Sequence, residues 1–280
     1  MRLQNETAII TGSTSGIGKK LAELFLREGC KVAISSRSKD KVDSTVKAFR
    51  KQFGENVIGL ACDVTNPADL EKLVNETTSA FGSVRILIAN AGLNTLYGPF
   101  ECMSPKMVKE NACKIMSTNL IGTINTISAI LPQMKKQEYG RLITLSGGGA
   151  DRPIDNMTLY SASKGGVVAF SKCLALELEQ SGLDIKLNIY QPGMIKTGLT
   201  TTVSCVPDWK SEEEVQEQLD FVLEYLGGDV EERTLPVIPY VMSDTKVNGK
   251  EFRGFGLFKF ITRAMKMSRE MKKRDRSKKK

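Results

Sequence analysis

The chain has 280 residues, with 40 Lys or Arg against 32 Asp or Glu, 41% hydrophobic residues and no histidine. The missing imidazole excludes a Ser-His-Asp triad, a Cys-His pair and a His-ligated zinc, so acid–base chemistry falls to Tyr, Lys, Asp, Glu or Cys. The formal charge of +8 is unevenly spread: residues 250–280 carry a balance of +10 and the other 249 residues −2. The basicity belongs to a tail, and no nucleic-acid partner is expected because no basic-aromatic pattern recurs in the body.

Six scattered cysteines, without a C-x-x-C pair, fit reduced thiols and a cytoplasmic location. Met1 leads straight into a strand-like segment, with no signal-peptide pattern, and no apolar run approaches the roughly 18 residues of a membrane span. No metal site is expected.

The first strand is expected over Thr7–Ile10. It runs into Thr11-Gly12-Ser13-Thr14-Ser15-Gly16-Ile17-Gly18 and then a helical pattern, Lys19–Glu28. Gly12 permits a tight turn, Gly16 lets the backbone approach a pyrophosphate, and Gly18 allows helix and strand to pack closely. The phosphates would sit on the helix N-terminus, where free N–H groups and the dipole favour anions, and Ser13, Ser15 and Ile17 are expected with the three glycines among the cofactor contacts. An ordinary glycine-rich turn is the competing reading; strand, loop and helix in this order favour nucleotide binding. The spacing T-G-x-x-x-G-I-G resembles that of the short-chain dehydrogenase/reductase family.

The second strand, Lys31–Ser35, ends in Ser35-Ser36-Arg37-Ser38, without the carboxylate that would hold ribose hydroxyls and repel a 2′-phosphate. Arg37 can pair with that phosphate and Ser36 can add a hydroxyl, which favours NADP(H) over NAD(H); the alternative is a solvated arginine. After the third strand, Val57–Ala61, Asp63 and Val64 resemble the family's adenine contact. After the fourth, Ile86–Ala89, Asn90-Ala91-Gly92 matches its Asn-Ala-Gly motif beside the cofactor.

Helical patterns over Lys39–Phe53, Pro67–Phe81 and Ser163–Gln180 alternate with these strands and with Leu142–Leu145 and Ile185–Ile189. Nearly continuous apolar strands in such alternation predict an α/β fold: one doubly wound Rossmann-type domain with a parallel sheet and helices on both faces. The expected division is a catalytic domain over residues 1–254, with a substrate-covering segment at about 197–239, and a basic tail over 255–280.

Tyr160 and Lys164 stand i, i+4, on one face of a helix. A phenol near pKa 10 is a poor acid–base group at neutral pH, and a neighbouring ammonium would lower that pKa. The resemblance implies that Tyr160 protonates a carbonyl oxygen, or deprotonates an alcohol, while hydride moves to or from the nicotinamide. It implies that Lys164 also holds the nicotinamide ribose, that Asn119 orders a proton-relay water, and that Pro192, Gly193 and Thr197 meet the carboxamide. The family's substrate-binding serine, thirteen residues before the tyrosine, is missing. Gly147 stands there, with Ser146 shifted by one onto the other strand face unless the backbone bulges, and Gly148 following.

The expected function is an NADP(H)-dependent oxidoreductase interconverting a carbonyl and a secondary alcohol on a small molecule. The alternative is a non-catalytic nucleotide-binding or regulatory protein on the same fold. The family implies a homodimer or homotetramer. Leu93, Leu96, Tyr97, Met194, Leu199 and Trp209 are expected to line an apolar pocket. From Leu257 to Met271 apolar residues share one helix side and Lys259, Arg263, Lys266, Arg269 and Lys273 the other. That pattern suits an anionic membrane surface, docking on the body or a subunit, or a solubilising end.

Overall fold

The computed structural model describes residues 1–201 and 203–278, with backbone alone at 199 and 274–278. The pocket residue Leu199, as a side chain, and the tail lysines Lys279 and Lys280 lie outside the described residues. Seven strands form one parallel sheet: β1 Thr7–Thr11, β2 Lys31–Ser36, β3 Val57–Ala61, β4 Ile86–Ala89, β5 Tyr139–Leu145, β6 Asp184–Gln191 and β7 Glu251–Arg253. Their spatial order is β3-β2-β1-β4-β5-β6-β7. Central strand β1 pairs Ile9 with Ala33 of β2 and with Leu87 of β4, and all five of its residues are buried.

The two-residue period of a strand divides the core into two layers. Ile10, Ile34, Ile88 and Ile143 pack with Leu21 and Phe25 of α1 (Gly16–Arg27). Ile9, Ala33, Leu87 and Leu142 face the opposite way, toward Leu70 and Leu73 of α3 (Pro67–Phe81) and Ile130 of α5 (Gly122–Lys136). Helix starts follow capping chemistry. Ser38 caps α2 (Lys39–Phe53), and Asn66 accepts from the Ala68 N–H at 3.1 Å just before Pro67 opens α3.

Between β4 and β5 the chain forms α4 (Pro105–Met116), a π-helical turn at Ser117–Ile121 and α5, three elements the apolar pattern did not delimit. The π turn inserts an extra residue into the helical ladder and turns Asn119 fully inward. After β5 comes α6 (Thr158–Gln180). The stretch after β6 holds α7 (Gly198–Thr201), α8 (Glu212–Leu226), α9 (Val230–Thr234) and α10 (Ile238–Val241), with no strand of the main sheet. A reciprocal Ser211–Glu214 capping box fixes the start of α8.

Strand β7 was not expected; its three residues give no apolar run, and register with β6 (Tyr190 beside Phe252) defines it. Helix α11 (Leu257–Lys278) follows at once and packs against α8.

Candidate active site

A cavity of about 1020 Å³ opens at the carboxyl ends of the strands, where the sheet order reverses between β1 and β4. Gly12 (φ +64°) and Gly16 (φ +54°) take the left-handed region, so the loop turns sharply enough to lay α1's first turn against this cavity. A Cβ on Gly18 would stand 2.5 Å from the Gly12 carbonyl oxygen, hence the need for glycine where α1 crosses the loop. The Asn90 amide donates to the carbonyls of Thr11 (2.8 Å) and Gly12 (3.0 Å), while Thr11 Oγ1 accepts from the Asn90 and Ala91 N–H groups. The Asn90-Ala91-Gly92 turn thus holds the glycine loop in shape.

Thr14, Ser15, Gly16 and Ile17 line the cavity. Ser15 is the N-cap of α1 but makes no side-chain capping bond, and the first turn carries no acidic residue. Ser13 is different. It is fully buried, donates to the Ile10 carbonyl at 2.6 Å and accepts from the Ser35 N–H at 2.9 Å, so it braces β1 against β2 behind the loop. Gly18 likewise serves packing. Ser36 and Arg37 reach the cavity from β2, and Asp63 and Val64 from β3. One Asp63 oxygen accepts from the N–H and hydroxyl of Thr65, at 2.9 and 2.8 Å, which fixes the carboxylate's direction. A glycine cradle too tight for side chains, an uncapped helix N-terminus and a cation without an acid at the β2 end fit a dinucleotide phosphate.

Tyr160 and Lys164 enter from α6, both almost entirely buried. The Lys164 ammonium donates to the Leu145 carbonyl at 3.0 Å and stands 5.8 Å from the centre of the Tyr160 ring. Burial pushes Lys164 down to about 8, and burial together with the nearby Tyr97 hydroxyl pushes the Tyr160 phenol up. The expected lowering of the tyrosine is therefore reversed in the free protein, because desolvation of a phenolate outweighs an ammonium bonded elsewhere. Tyr160 is therefore protonated at neutral pH. Asn119 accepts from the Leu93 N–H at 2.8 Å and donates to the Leu93 carbonyl (2.9 Å) and Ser163 Oγ (3.0 Å). It ties the loop after β4 to α6 beneath Lys164.

Gly147 has a direct steric reason. A Cβ there would lie 2.7 Å from the Tyr160 hydroxyl oxygen and 3.2 Å from its ring, so Tyr160 fills the space a side chain would take. Ser146, Gly147 and Gly148 all line the cavity, and the largely buried Ser146 hydroxyl donates to Glu251 of β7 at 3.4 Å. Gly148 faces Ile154. Beside this corner no motif pointed to Asn94, which lines the cavity next to the Tyr97 hydroxyl with its amide buried. A rim network was missed as well, in which Arg253 donates to Gln191 (2.9 Å) and Asp151 (3.2 Å).

Pro192, Gly193, Met194 and Thr197 arrive after β6, and the Thr197 methyl closes on Gly16, 3.3 Å from where a Cβ there would stand. Leu93, Tyr97, Met194 and Trp209 line the cavity as expected, whereas Leu96 does not reach it. Val215, Leu219, Val222 and Leu226 present one stripe of α8, and Leu257 and Phe260 of α11 close the same wall. The segment after residue 254 therefore begins as part of the site. Phe260, Ala264 and Met267 turn toward α8 and are half-buried, while Leu257, Phe258, Ile261 and Met265 remain exposed. Among the described residues no helix is long and apolar enough to cross a membrane.

Comparison with known proteins places this geometry. A family model described as short chain dehydrogenase matches residues 6–205. The chain is 33% identical to dehydrogenase/reductase SDR family member 4 of Sus scrofa over 198 residues, 71% of this chain and 68% of that protein. It is 32% identical to 3-oxoacyl-(acyl-carrier-protein) reductase FabG of Vibrio cholerae serotype O1 over 204 residues, 73% of this chain and 79% of that protein. A crystal structure of 3-ketoacyl-(acyl-carrier-protein) reductase from Brucella melitensis, complexed with NADH, superposes with a TM-score of 0.75 at 25% identity. That alignment covers 89% of this chain and 96% of the other.

Proposed function

The chain belongs to the short-chain dehydrogenase/reductase family of nicotinamide-dependent oxidoreductases, and on that premise we propose that it is an NADP(H)-dependent carbonyl reductase whose proton donor is Tyr160. The observation that carries this reading is the buried Tyr160–Lys164 pair at the cavity corner shared by Asn119 and the Asn90–Gly92 turn.

When bound, the nicotinamide supplies a hydride, two electrons and one hydrogen, to the carbonyl carbon. Tyr160 gives its proton to the carbonyl oxygen, so a ketone becomes a secondary alcohol with charge and electrons balanced. Lys164 faces the phenolate left behind and stabilises it; in the oxidative direction the same phenolate takes the alcohol's proton. Gly12, Ser15, Gly16 and Ile17 hold the pyrophosphate, with Ser13 and Gly18 bracing that loop. Ser36 and Arg37 hold the 2′-phosphate, Asp63 and Val64 the adenine, and Pro192, Gly193 and Thr197 the carboxamide. Asn119 fixes the loop through which the proton is resupplied. The buried Asn94 amide lining the cavity beside Tyr97 supports a second donor to the substrate oxygen in place of the side chain absent at Gly147.

The protein works in the cytoplasm as a dimer or tetramer, to which exposed Ile121 and Leu176 offer apolar surface. Residues 1–254 form the catalytic domain and 255–280 its closing arm. The exposed half of α11, with Phe258 81% exposed beside a row of basic side chains, supports peripheral attachment to an anionic membrane. Vesicle flotation of Ile261→Glu/Met265→Glu against wild type tests this attachment; equal flotation removes it.

The deciding experiment is turnover of a panel of ketones and aldehydes with NADPH and NADH. NADPH is expected to be preferred by about 10- to 100-fold, the range of a charge-assisted contact, and Arg37→Ala should erase the preference. No turnover of any carbonyl, with NADPH bound, would leave the non-catalytic nucleotide-binding protein.

A further inference from the structure

The apolar wall of the cavity has a length and a direction. Val215, Leu219, Val222 and Leu226 recur at i, i+4, i+7 and i+11, so one face of α8 lines the cavity for three turns, about 16 Å at 1.5 Å per residue. Leu257 and Phe260 continue this surface from α11. Gln218 is the one polar side chain of α8 in this lining, and no charged side chain interrupts the stripe. Of the charged groups lining the cavity, Lys164 stands at the catalytic corner and the others, among them Arg37, Asp63, Asp151 and Arg253, lie on the cofactor strands or around the opening. A small polar carbonyl compound would leave this wall wet, at a cost proportional to its area.

Leu257 also has a second exposure. It lines the cavity and is 44% exposed, beside Phe258, Ile261 and Met265 on the open half of α11. An apolar surface therefore runs from the α8 stripe, past the α8–α11 seam, to the outside of the molecule.

We propose that the substrate is a lipophilic carbonyl compound, with its oxygen at Tyr160 and an extended hydrocarbon chain along the α8 stripe toward Leu257. This rests on the reductase reading for the reaction, but the binding surface stands independently of it. Chain length is then the specificity variable. Each buried methylene should tighten binding about threefold to fourfold until the stripe is filled.

The chain contains a single tryptophan, Trp209, which lines this cavity and reports its occupancy. The test titrates the full-length protein with 2-alkanones from four to ten carbons, reading Trp209 emission, and measures kcat/KM for the same series with NADPH. Both should rise steeply with length. In Val222→Thr, nearly isosteric, and in Leu219→Gln the gradient should flatten while NADPH affinity, read from nucleotide fluorescence, stays unchanged. Equal affinity across the series, or a gradient indifferent to both variants, overturns the proposal. A gradient in Trp209 emission without turnover upholds the lipophilic site and removes the reductase reading. Turnover of short ketones without any gradient does the reverse.

Discussion

Residues 7–92 and residues 192–260 face each other across one cavity, yet different kinds of constraint shape them. On the first side, backbone meets backbone: the Gly12 Cα region packs on Ala91, Asn90 bonds two loop carbonyls, and Ser13 sits sealed between β1 and β2. On the second side, apolar side chains of α8 and α11 meet open space. Few residue types satisfy the first arrangement, and many combinations of similar volume satisfy the second. The family match follows this division, ending at residue 205, before α8 begins. The family model thus covers the cofactor side and stops short of α8 and α11.

The sharpest way to probe that division is to cut at the residue between the two sides. Tyr160→Phe should lower kcat by about 10²- to 10⁴-fold, the usual worth of a positioned proton donor. NADPH binding and the Trp209 response to ketones should both survive, since neither wall loses a contact. Loss of nucleotide affinity in this variant would mean that Tyr160 belongs to the cofactor wall instead. Steady-state rates and two fluorescence titrations separate these outcomes.

A substitution wholly within the first side should behave oppositely. In Gly18→Ala the new Cβ would meet the Gly12 carbonyl at 2.5 Å and the Asn90 amide, neither of which can retreat without opening the loop. The expected loss is about 1–3 kcal/mol of stability from overpacking, together with weakened NADPH binding. Urea melts and nucleotide titration measure the two. Normal nucleotide affinity in a stable Gly18→Ala protein would break the contrast, because the cofactor side would then be as tolerant as the cover.

The same contrast explains what was readable in the amino-acid order. The six longer strands emerged because burial on both faces demands continuous apolar runs, and α2 and α3 because each carries an amphipathic helical pattern. The glycine loop, Asn90–Gly92 and the Tyr160–Lys164 pair, joined in the sequence only by the family resemblance, line one cavity. Strand β7 was invisible because only its partner makes it a strand. The π turn was invisible because its register depends on where Asn119 finds Leu93 and Ser163. Ser13 looked like a ligand contact because its place in a motif does not tell which way a hydroxyl points. The wall role of α11 was hidden by its charge: the basic residues dominate the composition, while Leu257 and Phe260 do the closing.

Lys164 stands at the seam of the two sides and gives the smallest test. Burial holds its folded pKa at about 8, below its usual 10.5. Below pH 8 both the folded and the unfolded chain carry the proton, so the cost of the buried ammonium is constant. Between 8 and 10.5 the unfolded chain binds more protons than the folded one, and the lysine's contribution to stability rises with pH. Buried cysteines and Tyr160 also titrate in the alkaline range, but Lys164→Met shares them with wild type, so the difference between the two proteins isolates the lysine. Wild type should gain on Lys164→Met by about 1 kcal/mol between pH 8 and pH 9, read from urea melts at each pH. Parallel profiles would show that the ammonium is hydrated in the free enzyme. The cavity corner beneath Tyr160 would then be wet rather than sealed, and the cover, not the cofactor wall, would have to exclude water when substrate binds.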